Sequence, residues 1–261
     1  TGTIDESQKV DLTWTTKSDK FAISLKLLDK SLFDFNTVLA NKFEQACMNI
    51  LEDKETEAIA YLVANKAAQQ PTLKGVTWNG TTGAIEVDAA KSEKIFQWVR
   101  SAMRQNYFGG MVDIIADPSI AVSAEFLSAQ GSGNATNYGY QFQNMSIAES
   151  VEYSDSDYAE GSMLVMPSGS VGALNWIPKQ NRQGYGDYNS YVGGYGTFSF
   201  MGYQFAVHGY AQRADTSGSN GDAQDVSMEF EVSLDSSFNA SPLDYVTNRT
   251  DSVIIQFGQT A

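Results

Sequence analysis

The sequence predicts an α+β fold organised around one unusually long helix. Three observations predict it. Apolar residues alternate with polar ones along residues 10–27, the spacing of strands. The period then becomes helical from about Phe35 to Gln70. Beyond residue 140 the apolar stretches are short, rich in β-branched and aromatic residues, and separated by Gly, Asn and Ser, which reads as mostly β.

The first element is read as a hairpin. Val10, Leu12 and Trp14 form one arm, Thr16-Lys17-Ser18-Asp19 the turn, and Phe21, Ile23, Leu25 and Leu27 the other arm. A lone hairpin is marginal in water. Its apolar face is therefore expected to lie on a neighbouring subunit, with Trp14, Phe21 and Ile23 as contacts and Lys17 and Lys20 near the tip. The helix follows, with Asp34 or Asn36 as N-cap. Leu39, Phe43, Ala46, Ile50 and Leu51 make its first stripe, and Ala58, Ile59, Leu62 and Val63 its second. Glu52-Asp53-Lys54-Glu55 interrupts the stripe, so the expectation is one helix, straight or bent there, or two broken at 52–56. At ~1.5 Å per residue, some 35 residues would span ~50 Å.

Pro71 ends the helical signal. Residues 74–78 and 84–88 read as short strands around Asn79-Gly80, a hairpin turn signal. A second helix is expected over 89–107, with Ile95, Trp98, Val99, Ala102 and Met103 on its apolar face and Gly109-Gly110 as its stop. Residues 111–116 read as a buried strand. Asp117-Pro118 then supplies an N-cap and a first-turn proline for a helix over 119–129. Residues 131–139 are a small, polar loop. Strands are expected at 140–147, 162–166, 197–210, 226–234 and 252–257, and a short helix at 170–176. Residues 180–196 and 215–225 read as surface loops, the first carrying Tyr185, Tyr188, Tyr191 and Tyr195. Exposed tyrosines bury large area at low entropic cost and suit binding surfaces. Here they could contact sugar or a neighbouring subunit, or pack over the sheet and pin the loop.

Composition limits the function. The chain has 261 residues, 42% of them hydrophobic and 18% charged, enough for a sizeable core and one or two domains. No apolar run approaches the roughly 18 residues of a membrane span. The start is polar and acidic, unlike a signal peptide, and Thr1 in place of methionine fits processing or a longer parent chain. Cys47 is the only cysteine, so no disulfide can form within the chain, and a reducing assembly site fits. The net charge of −14 argues against a nucleic-acid reader, which needs a basic patch. It suits solubility, and is compatible with a container whose wall does not grip its contents.

No catalytic, cofactor-binding or metal residue is assigned. His208, the only histidine, lies in a strand pattern with no placed nucleophile, which points to a structural role. With one histidine and one cysteine, a zinc site built on those residues is excluded. Ser168-Gly169-Ser170-Val171-Gly172 is similar to a nucleophile elbow but has serine where the first glycine belongs, and is read as a turn. The glycine pairs fail the dinucleotide spacing. Asp155, Asp157 and Glu160 miss the calcium-loop pattern and read as a solvated acidic loop.

The order of elements resembles the HK97-fold major capsid proteins of tailed bacteriophages. Residues 10–27 look like that family's extended E-loop hairpin, and 34–70 like its long spine helix. The helix over 89–107, followed by Met111-Val-Asp-Ile-Ile-Ala-Asp-Pro118, looks like the start of its axial domain. Met163-Leu-Val-Met-Pro-Ser-Gly-Ser-Val-Gly172 looks like the strand and turn that precede a short helix there. The resemblance implies a short N-terminal arm and E-loop over 1–30, and a peripheral domain with the spine helix over 31–88. It implies an axial domain over 89–196, and returning strands over 197–261. It also implies a structural viral protein that self-assembles into hexameric and pentameric capsomers of an icosahedral shell. The shell would enclose double-stranded DNA without sequence-specific binding. Portal, scaffold, maturation protease and decoration proteins would be partners, and assembly would take place in the host cytoplasm with no membrane. Two other classes compete: another virion subunit such as a tail tube or fibre, marked by continuous β-structure without a long helix, and a carbohydrate-binding or carbohydrate-active β-rich protein, marked by a paired-carboxylate cleft.

Overall fold

A computed structural model describes residues 12–24, 34–70, 76–88, 94–129, 144–177, 193–213, 226–243 and 250–260. The fold is α+β. The chain divides into two compact units, one made of residues 1–55 and 173–238, the other of 56–172 and 239–261.

Helix α1, Phe35–Ala64, is continuous over 30 residues, about 45 Å. Asp34 takes the N-cap position, its carbonyl accepting from the amides of Thr37 and Val38. The helix does not break at 52–56. The gap in its apolar stripe falls where the chain leaves one compact unit and enters the other. Of Glu52, Asp53, Lys54 and Glu55, three are strong helix formers. The helix stops at Ala64 rather than Gln70.

In the first unit a mixed-length sheet lies on the N-terminal half of α1. Strand β1 is Thr15–Ser24, β7 is Val171–Trp176, β8 is Gly193–Phe200, β9 is Tyr203–Arg213 and β10 is Val226–Ala240. The order is β1-β10-β9-β8, with β7 also on β10. Ala46, Cys47 and Ile50 of α1 pack with Phe205, Val232 and Leu234, edged by Phe21, Phe43, Phe198, Phe200 and Tyr203. Lys54 is buried with its ammonium 4.1 Å from the Tyr203 ring centroid, a cation–π contact. Burial lowers its pKa from the usual lysine value.

Three expectations for this unit are overturned. Residues 16–19 are not a hairpin turn: β1 is one unbroken strand, antiparallel to β10 from Thr15↔Ser236 to Ser24↔Ser227. It lies at the end of the sheet order, where polar residues and lysine suit a strand with a solvent side. Residues 171–176 are strand β7, not a short helix, because pairing to β10 overrides local propensity. The expected strand 197–210 is two strands folded at Met201-Gly202, whose φ values of 47° and 82° make the turn.

In the second unit a six-stranded sheet has order β2-β3-β11-β6-β4-β5. These are β2 Thr77–Asn79, β3 Ala84–Asp88, β4 Val112–Ala116, β5 Met145–Glu149, β6 Ser162–Pro167 and β11 Ile255–Thr260. Helices α2 (Ile95–Gln105) and α3 (Pro118–Ala129) cover one face. There Phe96, Val99, Met103, Ile120 and Leu127 meet Ile85, Ile114, Val165 and Phe257. On the other face Ile59 and Leu62 of α1 meet Tyr153, Leu164, Met166 and Ile254. Strand β6 is thus buried on both faces, which is why Met163-Leu-Val-Met166 reads as an unbroken apolar run.

Asn79-Gly80 does turn between β2 and β3, with the Asn79 side chain accepting from the Thr81 amide at 2.8 Å. Helix α2 ends before Gly109-Gly110. Tyr107 takes the left-handed conformation (φ 63°) and the Phe108 amide donates to the Met103 carbonyl, so a non-glycine residue closes the helix. Asp117 caps α3: its Oδ1 accepts from the Ile120 amide at 2.9 Å, and its Oδ2 from the Ser162 amide at 2.5 Å. It is 7% exposed. Asp117→Ala is expected to destabilise the fold by about 2 kcal/mol or more, and Asp117→Asn by less, since asparagine keeps one acceptor. Urea unfolding measures both. Equal midpoints for the alanine variant and the native chain would remove this role.

Candidate assembly surfaces

Five residues expected at an intersubunit contact fall in or beside β1, and its geometry separates them. Side chains along a strand alternate in face, so Phe21 and Ile23 lie opposite the side of Lys20 and of Trp14, just before the strand. Phe21 stacks on Phe230 (5.3 Å between ring centroids) and meets Phe43 edge-on at 5.1 Å. Ile23 is 6% exposed. Both therefore pack into the core of their own chain. On the same side Asp19 accepts from the Asn49 side chain at 2.8 Å, tying the strand to α1. Lys17 is half-buried there, opposite Leu234.

The opposite side is polar. Thr16 donates to Asp235 at 2.6 Å, and Lys20 pairs with Glu231 at 3.4 Å across the strands. Trp14 is 43% exposed, and its ring meets the exposed Trp176 ring edge-on at 6.4 Å. Leu12 and Leu174 are exposed as well. Trp176 was not singled out by the sequence, because residues 170–176 read as a helix. Val10, Leu25 and Leu27 of the expected hairpin lie outside the described residues, as do Tyr185, Tyr188 and Tyr191 and the loops 131–139 and 215–225.

His208 is on β9, paired with Glu231 of β10 and Tyr195 of β8. Cys47 is fully buried under the sheet, and burial, then the Glu44 carboxylate, push its thiol up to about 11. A thiol held protonated in this way is a poor nucleophile. Ser168-Gly169 leads from β6 into another strand, so the strand–turn–helix of a nucleophile elbow does not form. Asp155 accepts from the Asp157 amide and from the Gln256 side chain, while Asp157 and Glu160 are exposed. No group of three His, Cys, Asp or Glu suited to a metal occurs among the described residues.

A second surface lies in the second unit. Arg100 and Arg104 line a cleft of about 170 Å³ together with Met103, Phe108, Gly109, Gly110, Val112, Asn144 and Met145. The sequence signal for it was two arginines one helical turn apart ahead of a Gly-Gly pair, in a chain with only 17 basic residues.

No family model matches the chain, and no curated protein matches it. Solved structures do. A chain from Mycobacterium phage Cain matches at a TM-score of 0.51 and 7% identity, over 95% of this chain and 73% of that one. A chain from Mycobacterium phage Adephagia matches at 0.50 and 8%, over 96% and 73%. The asymmetric unit of the bacteriophage PhiM1 mature capsid gives 0.48 and 12%, over 100% and 79%. At these identities the likeness is one of fold, and that fold is HK97-like.

Proposed function

We propose that this chain is a viral shell subunit, a major capsid protein. It self-associates in rings of six and five that close an icosahedral container for double-stranded DNA, and it is assembled in the host cytoplasm. The observation that carries the reading is the HK97-like fold, which extends over 95–96% of the chain and includes the continuous 30-residue helix α1. Closed symmetric assembly needs large repeated interfaces. The exposed Trp14 and Trp176 pair supplies aromatic anchors of the kind that dominate interfaces. Lys17, Lys20 and the tyrosines Tyr185, Tyr188 and Tyr191 are proposed to lie around such contacts. The role is structural rather than catalytic, and a continuous long helix disfavours a tail tube or fibre. Portal, scaffold, protease and decoration proteins are the partners this role would bring.

Negative-stain microscopy and size-exclusion chromatography of the expressed chain test the proposal. Capsomer rings or closed shells are expected above a threshold concentration. Monomers at every concentration, or tubes, would overturn it.

A further inference from the structure

In the second unit two arginines and a run of carboxylates lie at opposite ends of one pair of strands. Strands β4 and β5 run parallel, from Val112↔Met145 to Ala116↔Glu149. The cleft with Arg100 and Arg104 sits at their N-terminal end, where the Val112 amide donates to the Asn144 carbonyl and the Ser168 amide to the Met111 carbonyl. The segment from Ser150 to Gly161 sits at their C-terminal end, where the Ser150 amide donates to the Ala116 carbonyl and Asp117 bonds Ser162. Glu149, Glu152, Asp157 and Glu160 are exposed there, and residues 144–177 contain no Lys or Arg. Five residues at ~3.3 Å each keep the two ends about 15 Å apart, beyond the roughly 10 Å screening length at 0.1 M salt.

We propose that the cleft receives carboxylates of the 149–160 segment from a second copy of this chain, joining copies head to tail. Guanidinium groups bind carboxylates in a two-pronged geometry that a lysine cannot reproduce. A Cβ built at Gly109 or Gly110 would meet nothing within 4 Å, so the cleft is open on its glycine side. In a chain of net charge −14, a cleft carrying two arginines is complementary to the carboxylates of its own copies. A head-to-tail contact between different patches generates rings when its rotation closes. The inference rests on the self-assembly proposed above and names the contact that would orient neighbours within a ring.

The test uses three variants of the full chain: Arg104→Glu, the pair Asp157→Lys with Glu160→Lys, and all three changes combined. All the changed positions are exposed, so helical signal should match the native chain. Each partial variant should raise the concentration needed for assembly by about tenfold or more, and raising salt from ~0.1 to ~1 M should weaken native assembly in the same direction. The combined variant should recover most of the lost assembly, since lysine restores the charge pairing but not the two-pronged geometry. The swapped groups are too far apart within one chain to pair, so recovery reports a contact between copies, and it also excludes misfolding as the cause of the loss. If the native chain assembles and either partial variant assembles equally well, or the combined variant stays defective, the head-to-tail contact is wrong while the shell reading stands. If the native chain never associates, both fall.

Discussion

Gly258→Ala is expected to be among the most damaging single changes in this chain, lowering stability by about 3 kcal/mol. Gly258 lies inside β11, paired with Glu86 of β3 on one side and Ser162 of β6 on the other. A Cβ built there would meet three ring atoms of Tyr158 at 2.3–2.5 Å. The ring cannot swing aside cheaply. Tyr158 is 3% exposed, its hydroxyl is 2.5 Å from the Thr82 hydroxyl, and it donates to Glu86 at 3.4 Å. Moving the strand instead would disturb pairing to both neighbours at the middle of the six-stranded sheet. Urea unfolding of Gly258→Ala, Tyr158→Ala and the double variant checks the mechanism. Removing the ring removes the clash, so the double variant should be more stable than the sum of the single losses predicts. Simple additivity would show that the contact does not set the cost.

The parts of this fold that were legible in the sequence are those fixed by local chemistry. Asp117-Pro118 marks the start of α3 because an acceptor and a fixed φ are what a first helical turn needs. The stripe Ile95, Val99, Ala102, Met103 marks α2 because one face of that helix is buried and the other is not. The misread elements are those decided by distant partners. Thr16-Lys17-Ser18-Asp19 has turn chemistry, yet ten residues pair in register with β10, more than 200 positions away, and that pairing wins. Ser170 to Trp176 has no strong local preference, and β10 again decides it. Tyr107 at positive φ ends α2 because Phe108 packs against the core, which local sequence does not reveal. The candidate surface was half legible for the same reason. Trp14 is conspicuous by itself, but its ring partner Trp176 is brought to it only through β1, β10 and β7. Phe21 and Ile23 were grouped with Trp14 because a hairpin would put all three on one face, whereas an unbroken strand divides them.

That division predicts opposite outcomes for two variants. Phe21→Asp should lose the fold, and Trp14→Ala should keep it while assembling poorly. Phe21 touches both Phe43 of α1 and Phe230 of β10, so deleting its ring alone removes contacts worth about 3 kcal/mol. An aspartate there adds the cost of placing a carboxylate between aromatic rings. The expected readout is loss of cooperative unfolding and of soluble yield. Trp14, 43% exposed, meets Trp176 at a ring edge, and such a contact contributes about 1 kcal/mol within the chain. Its value is proposed to lie in the area it offers a neighbour. Trp14→Ala should therefore shift the unfolding midpoint little, while lowering particle yield several-fold at fixed concentration. Thermal unfolding and quantitative microscopy on the same preparations separate the two effects. Native-level assembly by Trp14→Ala would remove Trp14 from the intersubunit contact, and a stable, cooperatively unfolding Phe21→Asp chain would remove β1 from the core.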